Sequence, residues 1–538
     1  MYAAAHAAEH PDKPAIVMSP GGEVVTYRAF EARANQIAHL LRALGLRRGD
    51  HVAVLSQNSP AMLEIEAAAE RSGLYYTLVN THLTTDEVAY VVDDCRARVF
   101  FAGAHLSDVA VAAAARCPAL EHRVMADTRG RGGGGRIGGP AADGVADGAV
   151  QELAEGWESL DDLARDLPTT PVPDEQLGSA MLYSSGTTGR PKGICRPLPD
   201  MTPAESLTGM RFVRHLFGYR EGMTYLNPAP LYHTAPQAAV SAALRTGAGV
   251  VVMEHFDALE WLSLVERHRV THCQMVPTMF HRLLALPPDV RDRYDVSSLE
   301  NVTHAAAPCP VPVKRAMIDW LGPIVHEYYG ATEAYGFTYA SAEEWLARPG
   351  TVGRAVLGEI VIRDEEGKEC PAGVDGTIWF RDSPTFEYFG DPEKTREHRD
   401  AAGELTTVGD VGHVDDEGWL YLTDRRSYMI ITGGVNVYPQ ESETLLATHP
   451  AVADVAVIGV PDAEMGEAVK AVVQASPGVV PGPDLADELV AYCRAHLAHF
   501  KCPRSVDFVD ELPRHPTGKL YKRLLRDRYW GGHGGRIG

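Results

Sequence analysis

Tyr183-Ser184-Ser185-Gly186-Thr187-Thr188-Gly189-Arg190-Pro191-Lys192-Gly193-Ile194 is the stretch around which this chain reads. An apolar approach, Met181-Leu182, enters a segment of small hydroxyls and glycines that leads to a lysine. Glycine lets the backbone turn its N–H groups inward, serine and threonine add donors, and lysine supplies a point charge. That is the chemistry of a loop cradling a polyphosphate. A Walker A loop is excluded, because Pro191 stands where that pattern continues toward Gly-Lys-Ser/Thr. The ordered run GTTGRPKG is too specific for an ordinary Gly/Ser/Thr surface loop.

The whole chain sets the frame for this loop. Its 538 residues exceed one hydrophobic core and suggest roughly three or four units of ordinary size. The composition, 45% hydrophobic and 23% charged, is that of a soluble globular protein. Fifty Lys and Arg against 72 Asp and Glu give a net charge of −22, which leaves nucleic-acid binding without electrostatic support. An acidic protein that binds an anionic nucleotide must concentrate positive charge locally, and Lys192, Arg425 and Lys519 are the candidates. The eight cysteines are scattered without a CxxC pair, against a zinc site or a disulfide framework and in favour of a reducing compartment. No basic n-region with an apolar run opens the chain, and no uncharged stretch reaches about 18 apolar residues. The expectation is a cytoplasmic protein with no signal peptide and no transmembrane segment. Monomer and homodimer are both compatible with the sequence.

Upstream of the loop, helical and strand patterns alternate. Thr26 is a candidate cap for a helix with apolar positions at Ile37, Leu40, Leu41 and Leu44. His51 to Leu55 reads as a strand, and a further helix follows Asn58-Ser59-Pro60. Such alternation predicts a parallel sheet wrapped by helices. Residues 127–150 form a Gly-rich run that cannot bury enough apolar surface to offset its ordering entropy, so a mobile surface insertion is expected.

Downstream, motifs follow in order. Pro228 to Pro236 reads PAPLYHTAP, and Gln274 to Phe280 reads QMVPTMF, where Met279 and Phe280 are either pocket wall or core. Thr303 to Pro308 is THAAAP, and Glu327 to Glu333 is EYYGATE. Residues 352–380 are short strands and turns, expected to form a small β-barrel or distorted sheet. Thr406 to Asp410 (TTVGD) and a hairpin at Asp415–Trp419 come next, then Tyr421 to Tyr428 (YLTDRRSY). Thr432 to Pro439 (TGGVNVYP), a helix over 440–447, a strand over 455–460 in a βαβ-like unit, and Pro513 to Lys519 (PRHPTGK) complete the set. The tail WGGHGGRIG reads as disordered.

Taken together, GTTGRPKG, EYYGATE, TTVGD, DRR and PTGK resemble the signatures of the adenylate-forming enzymes: acyl-CoA synthetases, aryl-CoA ligases, luciferases and adenylation domains. The resemblance covers about residues 10–525. It implies a multidomain α/β fold, with a large N-terminal domain of two α/β sheets plus a β-barrel and a small α+β C-terminal domain. The boundary is placed between residues 1–424 and 425–538, with a hinge at Ser427, where relatives carry aspartate or lysine.

The resemblance also implies roles. Ser184, Ser185, Gly186, Thr187, Thr188, Gly189 and Lys192 would hold the β,γ-phosphates of ATP. Tyr329 would stack on adenine, with Ala306, Tyr328 and Gly330 around the base and Glu327 near its amino group. An aromatic face suits a base, and a hard carboxylate suits a hard cation. Thr332 would face the α-phosphate, and Glu333, with Ser184, would hold Mg²⁺. Asp410 would accept both ribose hydroxyls, and Arg425 would contact ribose and phosphate. Gly433 and Gly434 would line a channel for coenzyme A. His233, with no acid/base role, Ala307 and Ala331 would border the acyl pocket, while a satisfied core histidine is the other reading of His233. Lys519 would be a mobile catalytic lysine.

The implied reaction converts a small-molecule carboxylic acid and Mg·ATP into acyl-AMP and pyrophosphate. Coenzyme A then takes the acyl group. An amine or a carrier protein as acceptor is the alternative. No general base is needed, since a carboxylate of pKa about 4 to 5 is already ionised at neutral pH.

Overall fold

Apolar runs of the first hundred residues form the centre of a six-stranded sheet that is parallel throughout, completed by His122–Ala126, Glu158–Ser159 and Ser179–Ala180. Its centre is His51–Leu55, buried along its full length. Tyr75–Leu78 and Ala97–Gly103 flank this strand. Near-continuous burial is what a parallel strand with helices on both faces requires. The helix starts follow the local signals. Thr26 accepts from the Ala29 N–H to cap Tyr27–Ala43. Ser59 accepts from Met62 to cap Pro60–Arg71, with Pro60 in the first turn where its missing N–H costs nothing.

The computed structural model describes residues 2–127, 153–184, 191–205, 208–307, 309–425, 428–432, 435–462, 465–514 and 520–530. The Gly-rich stretch from 128, the hinge position Ser427 and the C-terminal tail lie outside these residues.

A second sheet of 14 strands changes character midway. Pro14–Ser19, Gly249–Met253, Thr224–Asn227, His272–Met275, Asn301–His304 and Val325–Gly330 run parallel. From Val325–Gly330 outward the pairing is antiparallel, through Phe337–Ala340, Thr351–Leu357, Leu420–Arg425, Asp410–Val414, Gly376–Arg381 and Glu359–Arg363. The strands expected as a β-barrel are therefore continuous with the second sheet. Gly353 permits the join: its φ is +102° and a Cβ there would lie 2.2 Å from the Tyr339 backbone.

Residues of both sheets share one core. Val52 and Val54 of the first sheet cluster with Val250 and Val252 of the second and with Phe30, Ile65 and Leu244 from helices. Met279 and Phe280 are buried in a separate cluster with Trp261, Met317 and Trp345, which makes them core.

The C-terminal sheet comprises Ile430–Thr432, Val435–Val437, Val452–Asp462, Gly466–Ala475 and Ser505–Phe508. Val452–Asp462 and Gly466–Ala475 are antiparallel. The parallel pair is Gly466–Ala475 with Ser505–Phe508, joined through helix Pro483–His496. So the βαβ unit lies later than the sequence pattern suggested, and helix Pro439–Leu446 instead precedes the antiparallel hairpin. Arg425 ends a strand of the large sheet, opposite Asp410, while the small sheet begins at Ile430. Ile430, Leu446, Val457, Val469 and Leu489 give this unit its own core. Among the described residues no helix is long and apolar enough to cross a membrane.

Candidate active site

The phosphate-loop candidate is held at both ends by one helix. Its approach strand Leu182–Ser184 pairs antiparallel with Lys192–Cys195, setting Ser184 opposite Lys192. Helix Thr85–Asp94, fixed by a Thr84/Glu87 capping box, grips both arms. The Tyr183 hydroxyl donates to Asp94 at 2.5 Å, and the Tyr90 hydroxyl donates to the Pro191 carbonyl at 3.1 Å. Ser185, Gly186, Thr187, Thr188 and Gly189 lie outside the described residues, between these anchors.

A third short strand, Glu387–Tyr388, pairs with Lys192–Cys195 and brings Tyr388 into the site. The Lys192 ammonium lies 5.4 Å from the centre of the Tyr388 ring and 3.8 Å from Asp391, which also caps helix Pro392–Glu397. Burial and the nearby Lys394 lower the Lys192 pKa, and Asp391 opposes them. The Tyr388 hydroxyl donates to buried Glu333 at 2.9 Å. Glu333 also lies near Arg196, whose Nη2 donates to the Thr332 carbonyl.

Glu333 is presented by a turn closed by Ala334 N–H to Ala331 C=O at 2.9 Å, with Ala334 at φ +50°. The neighbouring loop carries Ala306 at φ +74°. Both loops leave the carboxyl ends of adjacent parallel strands, the usual place for ligands in open α/β sheets. Non-glycine residues in left-handed conformation there are local strain of the kind found at functional sites. Ala306 is exposed, while Ala307 and Ala331 are half-buried. The Thr332 hydroxyl meets that of Thr234 at 3.2 Å. Thr234 begins helix Thr234–Arg245 immediately after His233, whose half-buried ring packs 4.5 Å from Tyr232.

Strand Val325–Gly330 separates two functions by its period of two. Glu327 and Tyr329 are buried on one side. The Tyr329 hydroxyl contacts that of Tyr335 and donates to Asp410 at 2.6 Å. Glu327 accepts from the Lys314 ammonium at 2.6 Å, beside His304 at 3.4 Å. Burial pushes the Glu327 carboxyl up and the Lys314 ammonium down, and their mutual attraction opposes both shifts. On the other side, Tyr328 stacks on Phe337 at 4.7 Å, with Phe217 at 5.9 Å and the Gln274 amide on its hydroxyl. Tyr328 and Tyr329 therefore face different surroundings.

The structure thus brings Lys192, Thr332, Glu333, Tyr329 and Asp410 to one end of the second sheet. Gly433, Gly434 and Lys519 lie outside the described residues, and the side chains of Ser184 and Arg425 are not described. Tyr521, two residues beyond Lys519, is near enough to Tyr232 to add to the upward pKa shift that burial causes there. Sequence reasoning missed Arg196, Lys314, Tyr335 and Tyr388. Arg196 alone carried a legible signal: it continues the alternation of Lys192 and Ile194. Among the described residues no group of three or more His, Cys, Asp or Glu could cage a metal.

A candidate phosphate loop, a carboxylate presented at a strand end and a buried tyrosine–aspartate pair, on two α/β sheets with a small α+β domain, fit an adenylate-forming ligase. Such an enzyme uses ATP to turn a carboxylic acid into an acyl adenylate. The chain belongs to the AMP-binding enzyme family, whose profile matches residues 3–387, and that family's C-terminal domain matches residues 441–519. The long-chain-fatty-acid–CoA ligase FadD13 of Mycobacterium tuberculosis is 31% identical over 94% of this chain and 93% of its own. The fatty acid–[acyl-carrier-protein] ligase ScoC of Streptomyces coeruleorubidus is 31% identical over 98% and 95%. The anthranilate CoA ligase AuaEII, solved in complex with anthranoyl-AMP, superposes with a TM-score of 0.80 at 27% identity, covering 96% of this chain and 94% of its own.

Proposed function

We propose that this chain activates a small carboxylic acid as its adenylate and passes the acyl group to the thiol of coenzyme A. The observation that carries this reading is Glu333, held by Tyr388 between Lys192 and Arg196 beside Thr332. A single carboxylate fits Mg²⁺, which is commonly held by one or two protein carboxylates and the substrate's phosphates rather than by an all-protein cage. Bound there, the ion would neutralise phosphate charge. Lys192 and the loop hydroxyls from Ser184 to Thr188 would bind the β,γ-phosphates. Thr332 would orient the α-phosphate, Tyr329 and Asp410 would receive adenosine, and Lys519 would bridge acyl and phosphate oxygens. The residues from 425 onward would form a moving unit that brings Lys519 in for the first step and Gly433-Gly434 in for the second.

No side chain has to remove a proton from the acid. The work is alignment of an ionised carboxylate with phosphorus, together with stabilisation of the charge that develops as pyrophosphate leaves. ScoC, as similar to this chain as FadD13, supports a carrier-protein acceptor as the second reading.

Pyrophosphate release from the full chain, across straight-chain, aryl and cyclic acids, tests the reading with CoA, an amine or a carrier protein as acceptor. CoA-dependent turnover with consumption of the thiol is expected. Glu333→Gln should retain the fold and lose Mg²⁺-dependent adenylation. A variant with unchanged rate and metal dependence removes Glu333 from the mechanism.

A further inference from the structure

Side chains alternate along a strand, so Lys192 and Ile194 share one side of the strand Lys192–Cys195, and Arg196, just past its end, reaches the same site through the Thr332 carbonyl. Ile194 is buried in the cluster that contains Tyr329, Tyr335 and Tyr388, so this side looks into the site. Lys192 opens this strand and Arg196 directly follows it, so roughly 13 Å of extended backbone separates the two positions. Lys192 stands at the Tyr388 and Asp391 end. Arg196 stands at the other, with Nη2 on the Thr332 carbonyl and Glu333 close enough to favour its charge. Thr332 in turn touches Thr234, which starts the helix after His233. Arg196 therefore sits where the acid-binding side of the site meets the phosphate side.

Its hydrogen bonding is incomplete. A guanidinium carries five N–H donors in a planar fork suited to two oxygens of a carboxylate or phosphate. Among the described residues that fork has one acceptor, the Thr332 carbonyl. Among the described residues no carboxylate forms an ion pair with it, although the chain has 22 more acidic than basic residues. The side chain is half-buried, and burial disfavours its charge more than Glu333 restores it. A desolvated cation with unused donors is matched by an anionic ligand.

We propose that Arg196 is a catalytic residue of adenylation, its guanidinium binding the anionic oxygens at the junction of the substrate carboxylate and the α-phosphate. This rests on the adenylating function proposed above. In that step a carboxylate oxygen forms a bond to the α-phosphorus, and the bond from phosphorus to the bridging oxygen breaks. Pyrophosphate leaves with the electron pair and no proton moves. Negative charge crowds the acid–phosphate junction, where a fixed guanidinium stabilises it without reorganising.

Arg196→Gln keeps an N–H donor for the Thr332 carbonyl and removes the charge. Arg196→Lys keeps the charge and loses the fork. Initial rates of pyrophosphate release, with the best acid and MgATP varied separately, read both variants, and thermal melting checks that each is folded. The expected result is a loss of about 10²-fold or more in kcat/KM for Gln, the size typical of one preorganised donor, with partial recovery in Lys. A KM rise confined to the acid assigns the fork to the carboxylate. A rise confined to MgATP assigns it to phosphate. Wild-type kinetics in a folded Gln variant would overturn the proposal and leave Arg196 as a tether for the Thr332 turn. If Gln is unfolded, Lys decides: wild-type kinetics there would show that the fork is not used. Absence of pyrophosphate release from the wild-type chain with every acid would overturn the adenylation reading instead.

Discussion

The phenolic hydroxyl of Tyr329 lies 2.6 Å from Oδ2 of Asp410, across 81 residues of sequence. It joins the last strand of the parallel half of the large sheet to its antiparallel half, since Tyr329 is on Val325–Gly330 and Asp410 begins Asp410–Val414. Burial and the Asp410 charge both hold the phenol far above its ordinary pKa, so it stays a donor. Adenosine recognition on this reading depends on two residues that orient each other.

Tyr329→Phe removes that donor and keeps the ring. A hydrogen bond to a charged group contributes about 1.5–3 kcal/mol, so the KM for ATP should rise by on the order of tenfold or more. Combined with Asp410→Asn, the two losses should be less than additive. Steady-state kinetics on the four proteins check it, and strict additivity would show that the contact is not used.

Lys314→Met leaves Glu327 buried without its ammonium partner, in a pair whose side chains are 0% and 7% exposed. Breaking a buried pair in this way costs about 3–5 kcal/mol. Adding Glu327→Gln should restore a large part of the loss. Denaturant unfolding of the large domain measures it, and a loss below about 1 kcal/mol would contradict the buried pair.

Ala306→Gly relieves a left-handed backbone, φ +74°, in the loop after Asn301–His304. The Cβ penalty there is roughly 1–2 kcal/mol, against which glycine adds roughly 0.5–1 kcal/mol of unfolded-state entropy. Stabilisation by about 0.5 kcal/mol or more is expected in the same unfolding experiment. Destabilisation would mean that the loop does not carry this strain.

Glu66 makes stability depend on pH. It is fully buried, with Oε1 accepting from the Gln237 amide, and burial raises its carboxyl to about 8. The folded state therefore holds a proton that the unfolded chain has lost above its ordinary carboxylate pKa. Stability from this group is present below about 4.5 and is lost as pH rises through about 8. Glu66→Gln removes the dependence, so its melting temperature relative to wild type should climb between pH 5 and pH 8. A constant difference across that range would remove Glu66 as the cause.

Lys519→Ala and Gly434→Leu separate the two half-reactions. The first should slow adenylation by on the order of 10² or more and still convert supplied acyl-AMP to acyl-CoA. The second should obstruct the thiol channel and spare adenylation, because a branched side chain replaces none. Single-turnover assays of each step decide it. Parallel loss of both steps in both variants would exclude alternation of the C-terminal domain.

Local chemistry was legible in the sequence by itself. Thr26 caps the helix it was expected to cap, a helix follows Asn58-Ser59-Pro60 as expected, and His51–Leu55 is the expected strand, because caps and apolar runs are properties of neighbouring residues. The order of the motifs also settled the class of fold and of reaction. Pairing across the chain was decided only by tertiary structure. Lys314 with Glu327, Tyr388 with Glu333, Tyr329 with Asp410 and Arg196 with Thr332 span 13, 55, 81 and 136 residues. These partners depend on strand order and register, and on where a parallel sheet turns antiparallel at Val325–Gly330. Periodicity says which side a residue takes, but only the assembled sheets say what stands opposite it.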